Sequence, residues 1–410
     1  MPKKNWVCLL LLLGMALMVF SLAGCGGKDT TAPAAKDKEE IKIGFSISLT
    51  GIYAPAAESQ MRAYDLWLEQ VNKRGGIHLK EYGKSLPVKF VYYDDQSSTD
   101  MATRIYEKLV TEDKVDMLLP PWGTTLHFAI APLAEKFQMP VVGNTACSVK
   151  IRELDAKNFW FITSCIPDRQ TEALVDLMKA HRNQLKTVAI TYVQDLFPRE
   201  NLQFLEPLLK AAGFEVVLVK DYPIGVSDLS SLMAEIKRLN PDAYLALSYP
   251  EDSFLITNQA MEAGLNPKFF LLLVGPSIAA YDAVYGPATE GILTQGHWSP
   301  KGGWPGAQDF YNGFVEKYGE RPDYLDSALA YVSCEILEQA LTKAGSLDRE
   351  AVRNVIATSE FETINGPIGF TGVENLRMPA MWLQWQQGEL EIVWPAETAT
   401  AKLLIPKPKW

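Results

Sequence analysis

Short apolar runs alternate with longer amphipathic segments along this chain, and this alternation constrains the fold more than any other feature. In segment 228–239, apolar residues recur at spacings of three and four, which is the period of a helix. Several of the short runs are apolar throughout, as expected when helices cover both faces of a parallel sheet. The pattern therefore predicts a doubly wound α/β protein. The predicted strands are 41–49, 88–94, 115–120, 139–143, 159–164, 187–193, 214–222, 243–249 and 269–275, and the predicted helices are 56–74, 100–112, 125–137, 168–183, 198–212, 228–239 and 251–263.

A chain of 410 residues outgrows a single core, so at least two lobes are expected. We interpret Gly291–Pro300 as a crossing, after which helices 307–318 and 326–344 rejoin the first lobe; strands 381–386 and 390–394 cross again to the second. Such crossings act as hinges, and a cleft between lobes is where small ligands usually bind. The predicted first lobe is 41–163 plus about 299–378, and the predicted second lobe is 164–298 plus about 379–410.

The N-terminus has the features of an export signal. Two lysines precede a largely apolar run, Val7–Phe20, which is shorter than the ~20 residues that a membrane span needs. Leu22-Ala-Gly-Cys25 follows and matches the lipobox of bacterial lipoproteins, in which the cysteine is lipidated and becomes the new N-terminus. We therefore predict a signal peptide at 1–24 and an extracytoplasmic lipid anchor on Cys25. The alternative is an ordinary secretory signal, or a short anchor, with Cys25 incidental.

Residues 25–40 are small, polar and charged, so they cannot bury enough surface to fold and are predicted to form a flexible tether. The whole chain carries 39 basic and 49 acidic residues, a net charge of −10. No basic patch interleaved with aromatic residues occurs, so nucleic acid is not an expected partner.

Nothing in the sequence indicates an enzyme, a metal site or a cofactor. The motifs of hydrolases, phosphate-binding loops and zinc proteases are absent. Asp94 and Asp95 are neighbours on a strand and face opposite sides, which makes joint acid–base work implausible. The histidines are scattered, and the cysteines after the anchor are odd in number and widely spaced, so no disulfide framework or metal pattern is predicted. These residues are His78, His127, His181 and His297, with Cys147, Cys165 and Cys334.

The junction between predicted strand 115–120 and predicted helix 125–137 is unusual, because it contains Trp122, Gly123 and Thr124. The start of a helix carries unpaired amide donors and a partial positive charge, so it attracts carboxylates. Gly123 would let the backbone approach a ligand closely, and Thr124 would add a hydroxyl. The alternative is that Thr124 only caps the helix and Trp122 only packs inside a lobe.

Several segments resemble the leucine/isoleucine/valine-binding protein family, whose members are the solute receptors of ABC importers with the type I periplasmic-binding fold. The resemblance extends from Ile41 to Trp410. It is carried by the order and spacing of short matches, which are Ile43-Gly-Phe-Ser-Ile-Ser-Leu-Thr-Gly-Ile-Tyr-Ala54, Val71-Asn-Lys-Arg-Gly-Gly-Ile77, Tyr93-Asp-Asp-Gln96, Ala131-Pro-Leu-Ala-Glu135 and Met139-Pro-Val-Val142.

The resemblance implies ligand contacts in both lobes. Thr145 and Cys147 fall where the family holds the ligand's carboxylate and amino groups, with Cys147 at a position where threonine is common. Phe197 and Tyr249 fall on aromatic positions of the second lobe, and Tyr53 could close the pocket wall. The resemblance also raises the expectation that Thr124, Gly123 and Trp122 contact the ligand. The alternatives are core packing for the aromatic residues and a buried loop without ligand contact at 143–147.

Ser277 is the departure that bears on the ligand. Amino-acid-binding members commonly carry a glutamate here, which pairs with the ligand's ammonium group. Burying an ammonium without a carboxylate partner costs several kcal/mol. The substitution therefore argues against a standard α-amino acid and favours a carboxylate without the amine, or a neutral amide, unless Asp326 substitutes for the missing acid.

The resemblance implies an extracytoplasmic binding lipoprotein that delivers a small-molecule solute to the permease and ATPase subunits of an ABC importer. Capture would close the two lobes, because the ligand contacts both only in the closed state. The alternative is a sensory module that reports the ligand to a signalling partner, and an enzyme is a distant third.

Overall fold

The computed structural model describes residues 37–163 and 165–410. The predicted signal peptide 1–24, the anchor Cys25 and the part of the predicted tether up to residue 36 lie outside the described residues. Ser164, the last residue of predicted strand 159–164, also lies outside them.

The strands of the described residues include one in each predicted strand range and seven that were not predicted. They are β1 (Ile41–Ile47), β2 (Ile77–Leu79), β3 (Lys84–Leu86), β4 (Val88–Asp94), β5 (Met117–Leu118), β6 (Val141–Gly143), β7 (Phe159–Phe161), β8 (Thr187–Val193), β9 (Glu215–Tyr222), β10 (Ala243–Leu247), β11 (Phe269–Leu272), β12 (Ile292–Gly296), β13 (Phe361–Thr363), β14 (Gly366–Ile368), β15 (Phe370–Thr371), β16 (Glu374–Asn375), β17 (Met381–Gln386) and β18 (Glu389–Trp394).

The helices bury one apolar face each, as the periodicity predicts. They are α1 (Ala54–Lys73), α2 (Thr99–Thr111), α3 (Thr124–Phe137), α4 (Pro167–Ala180), α5 (Leu196–Ala211), α6 (Ser230–Leu239), α7 (Pro250–Ala263), α8 (Ala279–Tyr285), α9 (Ala307–Tyr318), α10 (Asp326–Ala344) and α11 (Arg349–Thr358). Short 3-10 turns occur at Val149–Glu153, Gly275–Ser277, Gly286–Thr289 and Pro300–Gly302.

The largest sheet among the described residues has seven strands in the order β18-β17-β12-β11-β10-β8-β9. The pairs among β8 to β12 are parallel, and β17 and β18 add an antiparallel edge. Every residue of the central strand β10 is buried, which explains its unbroken apolar sequence. We call the elements built on this sheet the second lobe.

The first lobe is built on shorter sheets. Strand β1 lies between β4 and β5 and is parallel to both, while β6 and β7 pair in parallel in a four-stranded sheet that β16 and β15 complete. Helix α10 packs on this lobe, where the Ser333 Oγ donates to the carbonyl of Val142 at 2.9 Å. The protein is therefore an α/β protein with parallel-strand sheets in two lobes, as predicted, while the exact lobe boundaries stay a prediction.

One predicted segment was wrong. Gly291–Pro300 was interpreted as a crossing, but it contains β12, which is buried along its whole length between β11 and β17. The glycines that suggested a loop stand at the edges of the strand, and Gly296 is the last strand residue, where a Cβ would meet the side chain of Leu383 at 2.3 Å. Strands β10 and β11 end earlier than predicted, and Tyr249 and Val274, which follow them, line a cavity.

Candidate functional site

A cavity with about 350 Å³ of empty volume lies between the two lobes, beyond the carboxyl ends of the parallel strands. In open α/β sheets this edge is where ligands usually bind. The lining is mainly apolar and aromatic, with a few polar groups, as is usual for small-molecule sites. The lining residues are Trp122, Gly123, Thr124, Thr145, Cys147, Phe197, Tyr249, Val274, Gln295, His297, Leu325, Asp326 and Leu329.

The start of α3 supplies the first polar part of the lining. Gly123 precedes the helix with a φ of 87°, a backbone conformation that residues other than glycine rarely adopt. A Cβ at this position would meet open space. Its N–H donates to the Thr145 Oγ1 at 2.8 Å. The N–H groups of the first helical turn have no partner inside the helix, so they remain available to an anion.

The loop after β6 is bound to the start of α3. The N–H of Cys147 donates to the Thr124 Oγ1 at 3.0 Å, and the N–H of Thr145 donates to the Asn144 Oδ1 at 2.8 Å. We call Gly123, Thr124 and Thr145 the α3 donor group. Its members hydrogen-bond to each other and to their neighbours, so the group is preformed before any ligand arrives.

His127 supports this group from behind. Its ring bonds to the carbonyl of Gly123 through Nδ1 at 2.8 Å, and its Nε2 accepts the N–H of Asn144 at 3.3 Å. Burial lowers the pKa of His127 to about 4, so the ring is neutral and can accept at one nitrogen while it donates at the other. The sequence pattern gave no reason to assign this histidine a role.

The second lobe contributes aromatic walls. Phe197 lies in the first turn of α5, and Tyr249 stands immediately before α7. The rings of Trp122 and Tyr249 meet edge to face across the lobes, with centroids 6.0 Å apart. Aromatic pairs of this geometry stabilise a contact beyond the area that they bury.

Tyr53 does not line the cavity but stands behind its wall. Its ring packs on Trp122 with centroids 5.1 Å apart, and its hydroxyl donates to the Asp195 Oδ2 at 2.9 Å. Tyr53 was predicted to close the pocket wall, and the structure places it where it supports Trp122 from outside.

Ser277, predicted to contact the ligand, is absent from the cavity lining. It is fully buried in the 3-10 turn after β11, and its Oγ donates to the carbonyl of Val274 at 2.9 Å. The strand β11 ends at Leu272, so the turn carries Ser277 away from the cavity while Val274 faces it.

Asp326, the first residue of α10, supplies an acid to the cavity. It is 1% exposed, and among the described residues its Oδ2 has no hydrogen-bond partner. Burial, together with the charge of nearby Asp323, raises the pKa of Asp326 well above its ordinary value. The indole N–H of Trp122 lies close enough to oppose this rise, although it makes no hydrogen bond of regular geometry.

Asp323 is 2% exposed and shares the surroundings of Asp326. Its Oδ1 accepts the N–H of Leu325 at 2.8 Å, while its Oδ2 has no partner within the described part of the chain. Burial raises the pKa of Asp323 as well. We call Asp323 and Asp326 the α10 acid pair. Two such groups cannot both be charged at low cost.

Gln295, His297, Leu325 and Leu329 line the cavity but were not predicted to do so. Gln295 and His297 lie at the carboxyl end of β12, a strand that was not predicted. They line the cavity because this end lies at the same edge of the sheet as the carboxyl ends of β10 and β11. The His297 Nε2 lies 3.3 Å from the Thr163 Oγ1, and burial lowers the pKa of this histidine to about 3. A strand prediction for residues 292–296 would have placed Gln295 and His297 at the cavity.

Residues 37–163 and 165–410 lack two further features. No group of three or more histidine, cysteine, aspartate or glutamate side chains is arranged to hold a metal ion there. No helix in the same ranges combines the length and the apolar character needed to cross a bilayer.

Two α/β lobes with a cavity between them define a type I periplasmic-binding fold. A family model described as "Periplasmic binding protein" matches residues 40–388, and the chain belongs to this family. Family membership confirms the resemblance noted in the sequence and implies an extracytoplasmic location.

Individual relatives agree with this assignment. Leu/Ile/Val-binding protein homolog 7 of Brucella melitensis is 24% identical over 402 residues, which cover 92% of this chain and 96% of that protein. The branched-chain amino acid transporter substrate binding protein LivJ from Streptococcus pneumoniae, solved with isoleucine, has a TM-score of 0.77 and 21% identity, covering 87% of this chain and 100% of that one. A solute binding protein of an ABC transporter from R. palustris, solved with benzoate, has a TM-score of 0.76 and 23% identity, covering 90% and 99%. These relatives are solute-binding proteins rather than enzymes.

Proposed function

We propose that this protein is the extracytoplasmic solute receptor of an ABC importer and captures a small amino-acid-like carboxylate between its lobes. The observation that carries the proposal is the cavity between the lobes, which combines a helix start, hydroxyl groups and aromatic walls from both lobes. A ligand that touches both lobes stabilises the closed form, which a permease can then recognise.

The carboxylate of the solute would bind at the α3 donor group. The first-turn N–H groups of α3 and the hydroxyls of Thr124 and Thr145 form an anion site of the kind that helix starts provide. The apolar part of the solute would lie against Trp122 and Tyr249, both of which line the cavity. Two structural relatives were solved with isoleucine and with benzoate, which share a carboxylate and an apolar body but differ in the amine.

Asp326 favours a solute that carries the amine. Ser277 speaks against an α-amino acid only if no other acid replaces the missing glutamate, and Asp326 lines the cavity. The charge of Asp326 acts on the thiol of Cys147, and the indole N–H of Trp122 lies near Asp326, so the acid lies near the α3 donor group. An α-amino acid carries its ammonium and carboxylate on one carbon, which suits such neighbouring partners.

The partners and the attachment follow from the same proposal. Cys25 would carry the lipid anchor, residues 25–40 would tether the binding lobes to the membrane, and the permease and ATPase subunits would receive the solute. Neither catalysis nor a cofactor is part of the proposal, because the polar groups of the cavity are suited to holding a zwitterion and no reaction is needed to explain them.

A ligand screen tests the proposal. The full chain, solubilised in detergent and stripped of bound ligand by unfolding and refolding, is screened by thermal shift with each α-amino acid and its deaminated carboxylate and amide. A native-state binder adds ~2.7 kcal/mol of stability at a hundredfold excess over its Kd. A hit should then be imported by vesicles only when the receptor, permease and ATPase are all present.

Two results would contradict the proposal. If no small carboxylate, amide or amino acid raises the melting temperature, the cavity is not a solute site of this class. If a solute binds but the receptor never stimulates uptake, the proposed role in transport is wrong, and the sensory role is favoured instead.

A further inference from the structure

We propose that Asp195 is a latch that holds the two lobes closed around the cavity. Asp195 stands at the start of α5 in the second lobe. Two hydroxyls of the first lobe donate to its carboxylate, from Tyr53 to Oδ2 at 2.9 Å and from Thr125 to Oδ1 at 3.2 Å. Both bonds cross between lobes, so both must break when the lobes separate.

Capping of α5 does not account for this arrangement. The cap needs only the bond from the N–H of Leu196 to the Asp195 Oδ1, at 2.7 Å. The other oxygen, Oδ2, accepts the hydroxyls of Tyr53 and Tyr249, the latter at 3.0 Å. A carboxylate that collects three side-chain hydroxyls, two of them from the opposite lobe, is arranged to join the lobes as well as to cap a helix.

The latch also positions the aromatic wall. Tyr53 and Tyr249 donate to the same oxygen, and their rings lie edge to face with centroids 6.1 Å apart. Both rings pack on Trp122, at 5.1 and 6.0 Å. Asp195 is therefore a positioning residue, which sets the aromatic side of the cavity when the lobes close.

The latch gives the closed form a stabilising contribution that does not come from the solute. It should raise the closed fraction of the ligand-free protein and slow solute exchange, because entry and release both require opening. The effect on solute exchange rests on the proposed function, whereas the effect of the latch on the closed fraction can be measured without any ligand.

The thiol of Cys147 reports opening. It lines the cavity and is 5% exposed, so a thiol reagent reaches it only when the lobes part. Burial also raises its pKa to about 12, which suppresses the reactive thiolate in the closed form. The probe is N-ethylmaleimide on the ligand-free full chain in detergent, with modification read peptide by peptide by mass spectrometry so that the other cysteines do not interfere.

Tyr53→Phe and Thr125→Val each remove one cross-lobe donor with little change of shape. A hydrogen bond to a charged group is strong enough that losing one should speed Cys147 modification roughly tenfold. Tyr285→Phe is the matched control, since that hydroxyl bonds to the carbonyl of Phe254 at 2.9 Å inside the second lobe. The control should leave the rate unchanged.

A double-mutant cycle completes the test. Tyr53→Phe should add little to the rate of Asp195→Ala, because Asp195→Ala already removes the acceptor of the Tyr53 hydroxyl. The proposal is overturned if neither Tyr53→Phe nor Thr125→Val speeds modification beyond Tyr285→Phe, or if the effects of Tyr53→Phe and Asp195→Ala are additive. A protein that binds no solute would still show the expected rates, so failure of the proposed function can be told apart from failure of the latch.

Discussion

The α3 donor group and Asp326 of the α10 acid pair line the same cavity, and the two groups differ in how far the protein satisfies their hydrogen bonds. In the α3 donor group, the Thr145 Oγ1 accepts the N–H of Gly123, and the Thr124 Oγ1 accepts the N–H of Cys147. In the α10 acid pair, one oxygen of Asp323 and one of Asp326 have no hydrogen-bond partner in the part of the chain that the structure describes.

The difference separates two tasks. A group whose members already bond to each other keeps its shape without a ligand, so the α3 donor group should fix where a carboxylate binds. A buried acid without a partner is costly until a ligand supplies a donor or a positive charge. The α10 acid pair should therefore decide which carboxylates bind, and the predictions below test this division.

The largest effect is expected for Asp326→Asn on binding of an amine-bearing solute. Losing one partner of a buried ion pair costs ~3–5 kcal/mol, so affinity for leucine should fall by at least about a hundredfold. Affinity for 4-methylpentanoate, which lacks the amine, should not fall. Isothermal titration calorimetry measures both, and Asp309→Asn, an exposed acid in the first turn of α9, is the control. Equal losses for the two ligands would contradict the assigned task.

The same substitution should stabilise the ligand-free protein at neutral pH. Burial and the charge of Asp323 raise the pKa of Asp326, so its folded form favours the proton. The ordinary pKa of an aspartate is 3.8, and the pKa of Asp326 in the folded protein lies above it. The wild type should therefore lose stability relative to Asp326→Asn as the pH rises from 3.8 through the raised pKa.

Urea unfolding of both proteins between pH 4 and pH 8 measures this. At pH 7 the variant should be more stable by about 1–3 kcal/mol, the usual cost of an unsatisfied buried polar group. The difference should shrink towards pH 4. A constant difference in unfolding free energy across this range would show that burial does not raise the pKa of Asp326.

Thr124→Val probes the α3 donor group. It removes the acceptor of the Cys147 N–H and should lower the free energy of unfolding by about 1–2 kcal/mol. Affinity for leucine and for 4-methylpentanoate should fall together, by roughly tenfold, because both ligands present a carboxylate. The same titrations and urea curves measure these effects, and a loss confined to leucine would show that this group also recognises the amine.

The smallest effect is expected for Ser277→Ala. Its Oγ bonds to the carbonyl of Val274 and does not line the cavity. The unfolding free energy should fall by about 1 kcal/mol, while affinity for either ligand should stay within roughly twofold. A large loss of affinity would show that Ser277, rather than Asp326, determines which ligand binds.

Much of the fold is local in origin and could be predicted. Helices α9 and α10 begin and end at the predicted residues, and glycines end them at Gly319 and Gly345. Strand β12 could not be separated from a loop by the same reasoning, since it is short and has glycine at both edges.

The cavity was only partly predictable, for a related reason. Trp122, Gly123 and Thr124 are unusual within their own junction, so local sequence draws attention to them. Asp326 reaches the cavity only because the returning chain packs α10 against the first lobe, which links residues far apart in sequence. The partner of each polar group is thus a property of the tertiary packing, and no short stretch of sequence contains it.

A crystal structure of the protein with leucine bound would test the division between the two groups most directly. The account predicts that the carboxylate lies within hydrogen-bond distance of the first-turn N–H groups of α3, with the ammonium on the carboxylate of Asp326 and the side chain against Trp122 and Tyr249. An ammonium directed away from Asp326, or leucine bound outside the cavity, would contradict it.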